Sequence, residues 1–136
     1  MADIRLLCAA SREESIFSLV DAVGMRDGKK ALSLLHDLSM DIPQQYVFSM
    51  LVRQVRLLIQ TKVVLDEKGG SKAVVEVCDI KSEWQAKKLI NQAKRFTLSD
   101  LENIYKRLDR IDEDSKIGKI TLDAVLASLL ASITSR

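Results

Sequence analysis

The chain of 136 residues has very few of the residues that build tight turns, with five glycines and one proline. Because glycine and proline dominate the turns between antiparallel strands, a protein rich in β-hairpins is excluded. Aromatic residues make up only 4% of the chain, whereas leucine, alanine and charged residues are abundant. Straight-chain side chains lose little rotamer freedom in a helix, so this balance predicts an all-α protein.

Long apolar runs and a strong net charge are also missing. No run of about 18 apolar residues occurs, so no membrane-spanning helix is predicted. The N-terminal stretch MADIRLLCAASREES lacks the basic start and apolar segment of a secretory signal, and we expect a cytoplasmic protein. The net charge is only +2, from 21 basic and 19 acidic residues, so any nucleic-acid contact must come from a local patch.

The residues that usually carry chemistry are scarce. His36 is the single histidine and lies in a leucine-rich segment, where a boundary position is expected rather than a base or a metal ligand. Cys8 and Cys78 are far apart and have no ligand spacing, so both are expected to be reduced core thiols. The stretch GGSK at 69–72 lacks the phosphate-loop pattern. The sequence therefore predicts no catalytic site, no metal and no cofactor.

Acidic residues cluster late in the chain, at Asp109 and at 112–114. The cluster lacks the alternating ligands and central glycine of a calcium loop. Basic residues alternate with it, which is typical of a solvated, ion-paired helix face. An interaction module fits this sequence better than an enzyme.

Apolar residues recur at helical spacing along most of the chain and predict a compact bundle of about five to seven helices. The β-branched stretch at 72–78 is predicted to be a short helix, because a single strand would have no partner. The predicted helical segments are 3–10, 15–23, 27–38, 43–66, 72–78, 83–96, 97–115 and 121–134.

The segment at 43–66 is the longest, and its apolar residues cover more than half of the helical circumference. Such a helix is expected to be central and buried on more than one side. Arg53, Arg56 and Gln60 share the remaining polar strip and are candidates for contact with another subunit.

Trp84, the only tryptophan, lies in the stretch SEWQAKKLINQAKRF. Ser82 and Gln85 form a capping-box pattern, so a helix is predicted to begin at Glu83. At about 100° per residue, Trp84 falls opposite the apolar stripe of that helix. The same side carries four polar candidates for contact with DNA or a protein partner: Lys87, Lys88, Asn91 and Arg95.

Three interpretations of this surface remain open from the spacing. Trp84 could pack on a neighbouring element of its own fold. It could anchor a protein interface, where tryptophan and arginine are enriched. It could also stack on an unpaired base while the cations neutralise phosphate.

Two motifs and their order point to a known family. Residues 50–62 read MLVRQVRLLIQTK and residues 87–101 read KKLINQAKRFTLSDL. These segments resemble the MLxRQxRLLLQxK and KKLxxQAxRFSLxEL segments in the C-terminal domain of the delta subunit of bacterial DNA polymerase III. The resemblance covers nearly all of residues 14–134. One departure lies at 77–89, where VCDIKSEWQAKKL lacks the proline of the GLHPFRVKKL-like turn.

This resemblance implies a helical collar domain at 14–136, preceded at 1–13 by the end of an AAA+-like lid domain or a linker. The chain is then expected to be a fragment, with Met1 supplied as a start. The implied function belongs to the clamp loader of the DNA polymerase III holoenzyme, a DNA-directed DNA polymerase and nucleotidyltransferase. The loader places the sliding clamp on primed DNA.

Partners follow from the same resemblance. The gamma/tau and delta prime subunits are expected to meet this domain in a collar ring, and the sliding clamp would be contacted only by a missing N-terminal domain. Contact with primed DNA is a further expectation, and no membrane is implied. Two alternatives remain, a collar from gamma/tau or delta prime and a free-standing helical regulator that binds nucleic acid.

Overall fold

The computed structural model describes residues 15–38 and 42–135, and within these ranges the regular structure is entirely α-helical. This confirms the predicted fold class. The predicted helix at 3–10, Cys8 and the domain boundary at 13–14 lie outside the described residues. The helices are α1 (15–24), α2 (Gly28–Leu38), α3 (Gln44–Asp66), α4 (Ser71–Cys78), α5 (Glu83–Ala93), α6 (Leu98–Lys116) and α7 (Leu122–Thr134).

Side-chain caps fix the starts of three helices. The carboxylate of Asp27 accepts a hydrogen bond from the Lys30 backbone N–H at the start of α2. Ser82 accepts from the N–H of Gln85, and α5 begins at Glu83 as predicted. Thr97 caps α6. Its hydroxyl accepts from the Asp100 N–H, and the Asp100 carboxylate accepts from the Thr97 N–H. Each cap satisfies N–H groups that have no partner within the helix.

Helix α3 is the central element and packs against α4, α5, α6 and α7. Its buried residues surround most of its axis, as the sequence predicted: Val47, Phe48, Leu51, Gln54, Val55, Leu57, Leu58, Thr61 and Val64. Val63, another apolar residue of this helix, is instead 42% exposed. The α3 surface is covered by four helices rather than by one, so burial does not follow a single stripe.

The short helix α4 forms where a lone strand would have had no partner. Val74 and Cys78 bury its inner side, and Asp79 ends it in a left-handed conformation with φ of 52°. The Thr61 hydroxyl donates to the Leu57 carbonyl and lies 3.7 Å from the Cys78 sulfur. Burial raises the pKa of the Cys78 thiol, so this buried cysteine is held in its neutral form.

The turn between α1 and α2 is fastened to the end of α5 through Arg26. This residue adopts φ of 58°, and its guanidinium lies 4.2 Å from the centre of the Phe96 ring. Its Nη1 donates to the Arg95 carbonyl at 3.1 Å, and its Nη2 lies 3.8 Å from Asp100. This node places α1 alongside α5, which sets up the surface described next.

Helices α6 and α7 close the other side of the bundle. Helix α6 buries Leu101 and Leu108 and leaves a charged outer face, as expected for the alternating acidic and basic residues. Helix α7 packs on α2 and α3 through a strongly apolar side. No helix in the described ranges is long and apolar enough to cross a membrane.

Candidate interaction groove around Trp84

Trp84 lies in the first turn of α5 and is 69% exposed, more than any other aromatic side chain of the described residues. The opposite stripe of the same helix is buried, through Ala86, Leu89 and Ala93. The prediction from helical spacing that Trp84 lies off the core is therefore confirmed. An aromatic side chain of this size on a surface is an anchor available to a ligand.

The indole stands at the edge of a groove of about 790 Å³, which we call the Trp84 groove. Its walls come from α1, α3, α5 and the loop between α4 and α5. Its floor and walls combine apolar and charged side chains: Phe17, Ser18, Val20, Asp21, Met50, Arg53, Gln54, Leu57, Asp79, Ile80, Lys81, Trp84, Gln85, Lys88, Leu89 and Gln92. Phe17, which is 48% exposed, provides a second aromatic surface in the groove, from α1 rather than α5.

Lys88 connects the indole to α1. It is one turn after Trp84 on α5, and side chains four residues apart lie one above the other. Its ammonium lies 4.5 Å from the centre of the Trp84 ring, within the range of a cation–π interaction. The same nitrogen donates to the Asp21 carboxylate at 2.6 Å. One cation therefore contacts both a ring and a carboxylate.

A chain of buried amides runs from this ion pair into the core. Gln92 donates to the other oxygen of Asp21 at 3.2 Å, and Gln92 in turn accepts from the amide of Gln54. Gln92 is 1% exposed and Gln54 is 6% exposed. Because buried polar groups are costly without partners, this chain ties α3, α5 and α1 to one another at a defined register.

Arg53 supplies a second cation to the groove from α3. Its side chain is exposed, and no carboxylate of the described ranges lies within ion-pair distance of it. Asp79 and Lys81 stand on the loop at the opposite rim. With Lys88 already paired to Asp21, Arg53 and Lys81 are the groove cations whose charge is available to an incoming anion.

The structure brings together only part of the predicted contact set on α5. Trp84 and Lys88 line the groove, whereas Lys87, Asn91 and Arg95 do not. Asn91 points its amide toward the sulfur of Met25, at 3.9 Å. Regular α5 ends at Ala93, so Arg95 no longer follows the helical spacing that had placed it near the indole.

The predicted polar strip on α3 divides between two surfaces. Arg53 faces the Trp84 groove and also a smaller groove of about 240 Å³ between α3 and α6, which Arg56 lines as well. Tyr105, 37% exposed, and Asp109 form the α6 side of this second groove. Gln60, half-buried, lines neither groove.

In the described ranges, no group of three or more histidine, cysteine or carboxylate side chains could hold a metal ion. The Trp84 groove combines an exposed indole with an unpaired guanidinium, groups that can stack on a planar ring and neutralise an anion.

Comparison with known proteins places this chain in a family. The model of the family "DNA polymerase III delta subunit, C-terminal domain" matches residues 13–133. The chain belongs to this family.

A curated relative and a solved structure are both longer than this chain and match it over nearly its whole length. DNA polymerase III subunit delta of Bacillus subtilis is 25% identical over 135 residues, which cover 98% of this chain and 39% of the relative. The solved structure of the Bacillus subtilis DNA clamp loader delta protein matches with a TM-score of 0.80 and 25% identity, over 99% of this chain and 40% of that one. The chain thus spans about two fifths of the length of these relatives.

Sequence reasoning missed four residues of the groove in this delta C-terminal domain: Phe17, Asp21, Gln54 and Gln92. The two glutamines carried a signal, because each falls at the edge of an apolar stripe, where a polar residue needs a buried partner. Phe17 and Asp21 carried none, because they meet α5 only through the packing of α1.

Proposed function

We propose that this chain is the collar domain of a clamp-loader delta subunit, and that it holds delta in a ring with the gamma/tau and delta prime subunits. Membership of the delta C-terminal family and the all-helical fold support this role. Contact with the sliding clamp is assigned to a part of delta outside this chain. No catalytic step of the polymerase holoenzyme is assigned to it, and its place is the bacterial cytoplasm, where the loader meets primed DNA.

Within that role, we assign the Trp84 groove to an unpaired base of the template strand. The observation that carries this assignment is the 69% exposure of Trp84 in a groove that the unpaired guanidinium of Arg53 also lines. Indole stacking is tolerant of sequence, because every base has a π-face, and Arg53 would neutralise the attached phosphate. Phe17, on the other wall, would limit the groove to a flat ligand.

We assign contact with a neighbouring collar to the outer strip of α3, at Arg56 and Gln60, together with Tyr105 of α6. Arginine and tyrosine are enriched where interfaces bury their centres. Arg56 and Tyr105 line one groove, so a single partner segment could contact both. This face is separate from the indole, and the two roles can be tested apart.

Assembly is tested by mixing the chain with gamma/tau and delta prime and measuring the mass of the complex by light scattering. We expect one copy per loader, with and without primed DNA. The variant Arg56→Ala/Tyr105→Ala should release the chain from the complex, whereas the exposed-site control Lys72→Ala should not. A wild-type chain that never co-elutes with the other subunits would contradict the collar role.

DNA contact is tested by titrating the assembled loader with an oligonucleotide that carries a fluorescent label. Trp84→Ala should weaken binding by about 1–3 kcal/mol, the cost of one lost stacking interaction. Arg53→Gln should lower the salt slope by about one phosphate contact. Tyr46→Ala is the aromatic control, because Tyr46 is 48% exposed and lines neither groove. Equal DNA affinity of the wild type and Trp84→Ala would contradict the DNA role and assign the Trp84 groove to a protein partner. Tight, salt-dependent DNA binding by the chain alone would favour a free-standing regulator.

A further inference from the structure

Two hydrogen-bond donors of the groove, Lys88 and Gln92, converge on the Asp21 carboxylate. Its Oδ2 accepts from Lys88 at 2.6 Å and its Oδ1 from Gln92 at 3.2 Å. Gln92 already uses its own oxygen to accept from Gln54. Every bond in the chain therefore runs toward Asp21, and each neighbour uses a different oxygen of its carboxylate.

The other end of this arrangement is the indole. Lys88 has a long, flexible side chain that loses conformational entropy whenever it is held in one rotamer. Its ammonium is nevertheless placed 4.5 Å from the centre of the Trp84 ring while it contacts Asp21. The carboxylate comes from α1, which is 67 residues earlier in the chain, so its position depends on tertiary packing and not on residue spacing within α5.

We infer that Asp21 is a positioning residue for Trp84: it holds the Lys88 ammonium over one face of the indole, so that the groove presents the other face of the ring to a ligand. The buried amides of Gln54 and Gln92 keep the carboxylate in place. The choice of face therefore depends on how α1 packs against α5. This inference deepens the proposed function, because it says what orients the Trp84 ring. The orientation is a property of the ring before any ligand binds.

Trp84 is the only tryptophan in the chain, so its indole N–H gives one resolved nitrogen relaxation signal. In the wild-type chain we expect the order parameter of that N–H to be near the rigid limit of about 0.85. In Asp21→Asn, one of the two donors loses its acceptor and the order parameter should fall toward the flexible value of about 0.6. Asp21→Glu keeps both oxygens and should restore most of the order.

The control is Asp79→Asn, which removes the same charge from the rim of the same groove. Asp79 adopts a left-handed conformation that asparagine tolerates, and it makes no contact with Lys88 or Gln92. In Asp79→Asn, the order parameter of the Trp84 indole N–H should equal that of the wild type. An equal loss of order in Asp79→Asn would overturn the inference, because it would make the effect one of groove charge alone. An unchanged Trp84 signal in a folded Asp21→Asn chain would overturn it as well.

A second pair of variants covers the case in which Asp21→Asn does not fold. Lys88→Met keeps the bond between Asp21 and Gln92 and changes a side chain that is 39% exposed, so the core is preserved. It should lower the Trp84 order parameter, whereas the exposed neighbour Lys87→Met should not. An unchanged signal in Lys88→Met would overturn the inference.

All of these measurements are made without DNA, so they separate the two proposals. Loss of indole order in Asp21→Asn combined with no DNA binding by the wild-type loader would leave the positioning role intact and remove the DNA role. DNA binding that depends on Trp84, combined with an indole order parameter that does not change in the Asp21 and Lys88 variants, would keep the DNA role and remove the positioning role.

Discussion

The backbone of Gly24 in α1 lies directly against the side chain of Gln92 in α5. A Cβ built at residue 24 would be 2.5 Å from Cδ of Gln92, closer than real Cβ atoms approach another atom. The close approach of these two helices leaves the Gln92 amide between Gln54 and Asp21. The absence of one side chain on α1 therefore makes room for the polar chain behind the Trp84 groove.

Gly24→Ala is expected to destabilise the protein by about 1–3 kcal/mol, because the buried Gln92 side chain would have to move. A glycine-to-alanine change in an unobstructed helix has the opposite sign, with a gain of up to about 1 kcal/mol. Urea unfolding followed by circular dichroism measures the difference. Gly70→Ala is the matched control, since a Cβ there meets no atom within 4 Å. A Gly24→Ala chain as stable as the wild type would show that Gln92 moves freely.

The two buried glutamines should behave as a coupled pair. Gln92→Met removes the acceptor of the Gln54 amide and a donor to Asp21, so it should cost about 1–3 kcal/mol. Gln54→Met should cost less, because Gln92 keeps its bond to Asp21. In the double variant no amide of this pair is left unsatisfied, and its cost should be smaller than the sum of the single costs. Additive costs would mean that the two side chains do not interact.

Trp84→Ala should leave the stability and the helical circular dichroism signal nearly unchanged. The ring is 69% exposed, and the interaction it loses is a surface cation–π contact worth about 0.5–1 kcal/mol. Leu89→Ala, on the buried side of the same helix, should cost about 2–5 kcal/mol. Comparable losses in urea unfolding for the two variants would show that Trp84 belongs to the core after all.

Asp100 should make α6 sensitive to acid. The Thr97 backbone N–H and hydroxyl group, which form the helix cap with Asp100, lower the pKa of its carboxyl group below the ordinary value. With a lowered folded pKa, the stabilisation is present above the unfolded pKa and is lost as the pH falls through the folded pKa. Asp100→Asn should therefore reduce the stability at neutral pH and flatten its decline in acid.

The measurement for Asp100 is urea unfolding at a series of pH values from neutral to strongly acidic. Glu102→Gln removes a carboxylate from the same helix without touching the cap and serves as the control. Its acid dependence should follow that of the wild type. A wild-type slope in Asp100→Asn would show that the capping carboxylate contributes nothing to the acid response.

Local sequence was sufficient for most helix boundaries and for the direction of Trp84. The starts of α5 and α6 could be predicted from Ser82 and Thr97, because a cap and its partner lie within three residues of each other. The exposure of Trp84 followed from its angle around the axis of α5, which depends only on residue spacing. The same spacing does not extend to Arg95, because α5 ends at Ala93.

The sequence by itself thus determined an all-helical domain of the delta family with a tryptophan directed away from its own core. Only the tertiary structure decided what shares the groove with that tryptophan: Arg53 from α3 at the groove wall, and Asp21 from α1, which is paired with Lys88. The physical reason is that spacing along a helix fixes angles about its own axis. Which helices lie side by side, and at which register, depends on buried contacts such as Gly24 with Gln92 that join distant parts of the chain.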